Sequence, residues 1–515
     1  MSKQSLQQKL KERGSEGHHP EVLILGAGRM CEPAVKYLSD GQFITRRLGN
    51  PHRHTIHVPV DVVLASLFLE DAEKVVEGIP NATAAQLDVS DGARLRDLIS
   101  EANVVISLLP ANCHIPVANA CIELKKHLVT ASYVSSEMAL LDDKAKQADV
   151  SLLCEMGLDP GIDHMMAMKM IDEAHARGGR VQSFVSYCGG LPAPTAANNP
   201  LGYKFSWNPS GAIKAGRNSA VYLYKGRTVE VAGEDLFASA VPLRLQNMPA
   251  FALERLPNRD SLSYGNLYGI DKEASTIFRA TLRYEGFSEI MAVLGELGFF
   301  NMDPLLPLNA ANEPSSNLTY RAVLEHLLSQ LPDIPTKFMT TSGANTVSTT
   351  WITKKLTGLS CCKNSSVALR AANCIRWLGL DSEENVPEAC KKSAFDVLCH
   401  QMEQRLTYAP NEQDMVLLHH ELEVVYDDGH ICEQQTATLL ELGETHDRDT
   451  ELLLRPQSAM ARTVSLPVAI GAQLLLFEEV KSRGVLRPLC SEVYEPALEI
   501  LAALGIKLED HLEKF

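Results

Sequence analysis

The stretch Glu21-Val22-Leu23-Ile24-Leu25-Gly26-Ala27-Gly28-Arg29-Met30-Cys31 decides how the chain reads. An apolar run ends at two glycines, and a helical pattern follows through Tyr37 and Leu38. In such a strand–turn–helix the first glycine, Gly26, permits a tight turn. The second, Gly28, lets a pyrophosphate approach the backbone. The helix N-terminus beyond them favours the anion. Cys31 stands where the fingerprint has its third glycine, and it is small enough for close packing. Taken alone, the pattern also fits a plain helix-entry turn. Its flanks favour dinucleotide binding.

Working outward, further apolar runs appear at Val60–Ala65, Ala82–Leu87, Val104–Leu109, Leu128–Ala131 and Val150–Leu153. Helix-like segments lie between them near 71–78, 91–101, 114–126 and 136–148. Strands alternating with helices predict an α/β fold, a doubly wound parallel sheet of Rossmann type. Residues 41–59, rich in Arg and His, read as a long surface loop. From Arg180 the pattern changes. Val181, Ser183, Val185 and Tyr187 alternate with Gln182, Phe184 and Ser186, a half-buried strand. A second strand spans Ser275 to Tyr284, and a hairpin spans Met415 to Leu439, turning at Asp427-Asp428-Gly429. Helical composition fills about 304–405, and Ser458 to Glu478 is a long apolar-periodic stretch followed by a helix near 493–504.

The predicted organisation is a polar lead at 1–20, a Rossmann domain from 21–155 and 441–515, an α+β substrate domain from 156–303 and 406–440, and a helical insertion at 304–405. Lys plus Arg is 48 against 64 Asp plus Glu, a net charge of −16, which argues against nucleic acid as a partner. No run approaches the ~18 apolar residues of a membrane helix, so no span is predicted. Residues 1–20 lack an apolar signal region, and the cysteines form no C-x-x-C pair. Both features point to reduced thiols and a cytoplasmic location.

Several residues carry candidate chemistry. Ser66 ends the second strand, and no Lys or Arg follows it to hold a 2′-phosphate, which favours NAD over NADP. Asp88, after the third strand, reads equally as an adenine-end contact or as part of a helix cap near Asp91. Strand period puts Arg279, Thr281 and Arg283 on one face, a plausible carboxylate grip, with Arg259 nearby in a turn. Spacing alone fits a solvated strand face at least as well. His52, His54 and His57 lack supporting acids, so no metal is expected. His164 reads as a base or, more simply, as a hydrogen-bonded structural residue. Met165, Met166, Met168 and Met170 read as packing.

Longer motifs are more specific. They are Glu155-Met-Gly-Leu-Asp-Pro-Gly-Ile-Asp-His164, Ser186-Tyr-Cys-Gly-Gly-Leu-Pro-Ala-Pro194, Asn199-Pro-Leu-Gly-Tyr-Lys-Phe-Ser-Trp207, Pro257-Asn-Arg-Asp-Ser261 and Thr281-Leu-Arg-Tyr284. Over about 20–510 the chain resembles the glutamate-forming saccharopine dehydrogenases, and especially the C-terminal half of the bifunctional plant members. The resemblance implies oxidation of saccharopine by NAD and water to glutamate and 2-aminoadipate 6-semialdehyde, in lysine catabolism. It implies substrate contacts at Ser132, Tyr133, Asp159, Trp207, Arg259, Thr281, Leu282 and Arg283. It implies cofactor contacts at Gly26, Ala27, Gly28, Met30, Leu109 and Ala131. It further implies fusion to a lysine-ketoglutarate reductase domain, with 1–20 as linker, and a homodimer is the assembly considered. The family's departures here are the 41–59 insertion and Leu67. Two rivals remain. A carboxyspermidine dehydrogenase would need fewer Arg and more acids, and a non-catalytic NAD sensor would not need the substrate grip.

Overall fold

A seven-stranded sheet, all parallel, forms one half of the molecule. The computed structural model describes residues 19–46, 53–207, 209–305, 318–331, 349–426, 431–444 and 456–514. The first half runs β1 (Glu21–Leu25), α1 (Glu32–Asp40), β2 (Gln42–Arg46), β3 (Arg53–His57), β4 (Asp61–Ser66), α2 (Leu69–Val76), β5 (Ala82–Gln86), α3 (Gly92–Glu101), β6 (Val104–Ser107), α4 (His114–Glu123), β7 (His127–Thr130), α5 (Ser136–Ala139), α6 (Asp142–Gln147) and β8 (Ser151–Leu153). Val22 and Ile24 face one apolar cluster while Leu23 and Leu25 face another, and all four are fully buried. Helices on both faces explain why these strands are continuously apolar.

The predicted loop at 41–59 is instead an antiparallel hairpin, β2 against β3. Phe43 drives it: buried completely, it meets Tyr37 and Phe477 edge-to-face with centroids 5.8 and 5.1 Å apart. The side chains of His52 and His54 lie outside the described residues, and His57 is exposed.

The middle of the chain forms α7 (Ile162–Ala176), β9 (Arg180–Pro192), α8 (Pro209–Ala215), β10 (Ala220–Tyr224), β11 (Arg227–Val231), β12 (Val241–Leu243), β13 (Leu253–Pro257), α9 (Ser263–Tyr268) and β14 (Thr276–Tyr284). Helices α10 (Phe287–Leu294), α11 (Tyr320–Ser329), α12 (Thr349–Leu356), α13 (Ser365–Trp377) and α14 (Ala394–Arg405) follow. Their core reaches back to Leu201, Tyr203 and Phe205, before the region read as helical. The chain closes with β15 (Asp414–Val425), β16 (Ile431–Leu442), α15 (Ala459–Leu476), β17 (Gly484–Leu486), α16 (Ser491–Ala503) and β18 (Glu509–Lys514). The second sheet has the order β11-β10-β14-β9-β15-β16-β18, with β13 also on β14. The turn expected at 427–429 lies outside the described residues.

Strand β9 is buried on both faces rather than one. Phe184, expected on a polar face, is fully buried against Tyr268 and His420. The reason is that α7 packs over this face of the sheet. The C-terminal segment divides. Strand β17 extends the parallel sheet beside β8, and β18 extends the second sheet beside β16. Helix α15, contrary to the sequence reading, is long and apolar enough to cross a membrane, but 89% of that window is buried inside the fold. It packs on α1, β6, β7 and β15, joining the two sheets.

Gly471 of α15 sits against β7 and β8: a Cβ there would meet Met156 Cε and Val129 Cγ1 at 3.1 Å. Gly471→Leu should therefore overpack this seam and cost ~1–3 kcal/mol. Urea denaturation checks it, and an unchanged midpoint would count against the packing described.

Candidate active site

The parallel sheet has the order β17-β8-β7-β6-β1-β4-β5, so the chain reverses direction of travel between β1 and β6. Ligands of such sheets bind at the C-terminal strand ends, at that switch point. Gly26 lies there with φ +106°, and a Cβ on it would stand 3.1 Å from the Leu108 carbonyl oxygen. Gly28 has open space where its Cβ would be, so a phosphate can reach the backbone. Burial pushes the Cys31 thiol up to about 12, so it stays protonated and donates to the Gly28 carbonyl at 3.1 Å. Gly26 to Met30, Ser66, Leu109 and Ala131 share this edge, at the ends of β1, β4, β6 and β7. Asp88 is farther out, beyond edge strand β5, and accepts from the Ser90 amide and hydroxyl at 2.9 and 2.7 Å. The helix cap is Asp91 itself.

From this edge a buried polar cluster runs to the second sheet. The Tyr133 hydroxyl donates to Asp159 at 2.9 Å. Asp159 pairs with Arg279 of β14, and Asp163 takes the same guanidinium at 3.2 Å. Arg279, 2% exposed, lies 4.0 Å over the Tyr264 ring. Burial would discharge Arg279, but Asp159 leads the groups that hold its pKa well above the usual value. Asp163 is pushed up by burial. Gly161 makes the loop possible: with φ +150°, a Cβ there would lie 2.0 Å from the Gly157 carbonyl oxygen. His164 is fully buried between Tyr268 at 2.9 Å and Glu155 at 2.7 Å. Burial would raise Glu155, yet His164, the Val134 amide and Arg487 outweigh it and hold its pKa low. The structural reading of His164 therefore applies, and Met165, Met166, Met168 and Met170 are buried packing residues.

The face carrying Arg279, Thr281 and Arg283 is not solvated, as spacing alone had allowed. Arg283 is half-buried over Tyr203 and Phe287, at 4.8 and 5.5 Å. Its Nη1 donates to the Leu282 carbonyl at 2.7 Å, and its Nε is buried with no partner among the described residues. No carboxylate among the described residues pairs with it. The Leu282 side chain points into the opposite apolar cluster. Trp207 is half-buried and touches both main cores. Arg259, exposed at φ 47°, lies 5.6 Å over the Tyr133 ring. A cavity of about 950 Å³ opens elsewhere, lined by Glu289, Glu296 and Arg370.

Sequence reasoning missed His114, which the fold inserts behind Ser132. Its Nε2 lies 2.8 Å from Ser132 Oγ and its Nδ1 lies 2.9 Å from Ser107 Oγ. Burial pulls its pKa down to about 4. The one available signal was a His shortly after an apolar strand. Glu155 and Arg487 were missed as partners because 332 residues separate them.

Two family descriptions cover the chain. "Saccharopine dehydrogenase NADP binding domain" matches residues 22–153 and "Saccharopine dehydrogenase C-terminal domain" matches residues 157–506. The chain belongs to the saccharopine dehydrogenase family. It is 49% identical over 512 residues to alpha-aminoadipic semialdehyde synthase of Arabidopsis thaliana, spanning 46% of that protein's length. It is 36% identical over 495 residues to a Schizosaccharomyces pombe protein named saccharopine dehydrogenase [NADP(+), L-glutamate-forming], covering 96% of this chain and 99% of that one. The apo saccharopine dehydrogenase (L-Glu forming) of Saccharomyces cerevisiae superposes with a TM-score of 0.80 at 33% identity, covering 96% of this chain and all of that one.

Replacing Arg279 in this family member by Met would leave Asp159 and Asp163 buried without their cation. A loss of ~3–5 kcal/mol is expected, because breaking a buried pair strands a charge. Chemical denaturation measures it. Wild-type stability would show that the cluster does not hold the halves together.

Proposed function

We propose that the protein oxidises L-saccharopine with NAD and water to L-glutamate and 2-aminoadipate 6-semialdehyde, in lysine degradation. The observation that carries this is Arg283, a half-buried guanidinium without a carboxylate partner among the described residues, on the strand face that also carries Arg279. Saccharopine brings three carboxylates. Arg283 and Arg259 would grip two of them, with the Thr281 hydroxyl and the Leu282 backbone beside them. Trp207 would supply an apolar wall. Ser132, Tyr133 and Asp159 would face the secondary amine. Asp159, already shared by Arg279 and Tyr133, would set the charge around that amine rather than act as a free base.

Gly26, Ala27, Gly28 and Met30 would hold the pyrophosphate, Ser66 the ribose end, and Leu109 and Ala131 the nicotinamide side. The dinucleotide held there would supply the hydride acceptor for the carbon beside the amine, and water would hydrolyse the resulting imine. The plant relative is about twice as long as this chain, which supports fusion to a reductase through the polar lead. We also infer a cytoplasmic location.

Release of glutamate with NADH from saccharopine tests the reaction, and carboxyspermidine serves as the rival substrate. Turnover of carboxyspermidine alone would overturn it. The cofactor has a second reading. Arg29, exposed in the glycine loop, pairs with no carboxylate among the described residues, and the fungal relatives' names specify NADP(+). Against that, Ser66 is followed by exposed Leu67 and Phe68, with no cation. NAD should therefore give the higher kcat/KM in steady-state comparison, and a higher value with NADP would reverse the assignment.

Arg283→Ala should leave dinucleotide affinity intact and lower kcat/KM for saccharopine by roughly 30- to 150-fold, or ~2–3 kcal/mol for an unmatched carboxylate. Lys should not fully restore it. Unchanged kcat/KM in the Ala variant would remove Arg283 from the site.

A further inference from the structure

The strand ends β6 and β7 carry hydroxyls that converge on one ring. Ser107 Oγ lies 2.9 Å from His114 Nδ1, and Ser132 Oγ lies 2.8 Å from Nε2. Thr130 Oγ1 approaches Nε2 at 3.5 Å. His114 is 4% exposed and opens α4 directly behind the sheet edge. No carboxylate among the described residues pairs with it, so it has no counter-ion for a positive charge.

Thr130 Oγ1 accepts the Ser132 amide at 3.3 Å, and its own hydroxyl hydrogen is free to donate. In the tautomer with its hydrogen on Nδ1, the ring donates to Ser107 Oγ and accepts at Nε2 from the Ser132 hydroxyl. In that tautomer Ser132 spends its only hydrogen on His114, which leaves its oxygen free to accept.

We propose that His114 is a positioning residue, holding the Ser132 hydroxyl as a hydrogen-bond acceptor for the N–H of the substrate's reacting amine. This rests on the functional reading above, which places Ser132 against saccharopine. An amine held by its N–H keeps its nitrogen lone pair free to assist departure of hydride from the adjacent carbon. His114 does not itself store the proton. With its pKa near 4, it would lie about six units below an ordinary alkyl ammonium, too far to take a proton at useful cost.

A double-mutant cycle tests this, using Ser132→Ala, His114→Phe and the pair, with saccharopine turnover and dinucleotide Kd by fluorescence. Each single change should lower kcat about tenfold, with KM and dinucleotide Kd within about twofold. The pair should be no slower than Ser132→Ala, since His114 acts through that hydroxyl. His114→Gln, whose amide oxygen reaches the Nε2 position, should recover part of kcat. His114→Asn, which reaches only the Nδ1 position, should not. That comparison carries the test should the Phe variant fail to fold. Additive losses in the pair, wild-type kcat in His114→Phe, equal rates for the Gln and Asn variants, or a loss confined to dinucleotide Kd would each overturn the assignment. If the wild-type protein does not oxidise saccharopine, the functional reading fails first and this role fails with it.

Discussion

The Arg279 guanidinium, shared by Asp159 and Asp163, is the interaction on which the arrangement depends. The two acids come from the turn and helix that leave the parallel sheet, and the cation comes from the middle of a strand in the other sheet. Burial makes each group expensive alone, so the three are tolerable only together. Around them, the Tyr133 hydroxyl donates to Asp159, the Gly161 amide donates to Asp163, and the Tyr264 ring lies against the guanidinium. The cluster therefore fixes where the dinucleotide edge stands relative to the strand that presents Thr281 and Arg283. Helix α15 does the same job with apolar contacts, packing on strands of both sheets.

This division of labour explains which cations remain available. Arg279 and Arg283 lie four residues apart on one strand face, and the sequence treats them alike. The fold does not. Arg279 is consumed by structure, while Arg283 stacks on aromatic rings and pairs with no acid among the described residues. A strand face carrying both can thus be at once a clamp and a binding surface.

Much of the fold is legible in the sequence because burial on both faces makes parallel strands continuously apolar, and Gly26 and Gly28 mark the switch point. The hairpin at 42–57 is not legible, since its Arg- and His-rich composition hides Phe43, which anchors it. Nor is the two-sided burial of β9, which depends on a helix packing from elsewhere in the chain. The long motifs locate the site region. The pairing inside it is out of reach, because Asp159 and Arg279 are 120 residues apart and only the fold says that they meet. His114 is invisible for the same reason: its meaning lies in two hydroxyls on neighbouring strand ends.

The central claim is that one cleft, set by the Arg279 cluster, brings the glycine-loop edge and the Arg283 strand face onto one substrate. A crystal structure with NAD and saccharopine bound tests it most directly. The account requires the pyrophosphate over Gly26–Gly28, a substrate carboxylate on Arg283, and the secondary amine between Ser132 and the nicotinamide. A dinucleotide on that edge with saccharopine bound outside this cleft, away from Arg283, would contradict it.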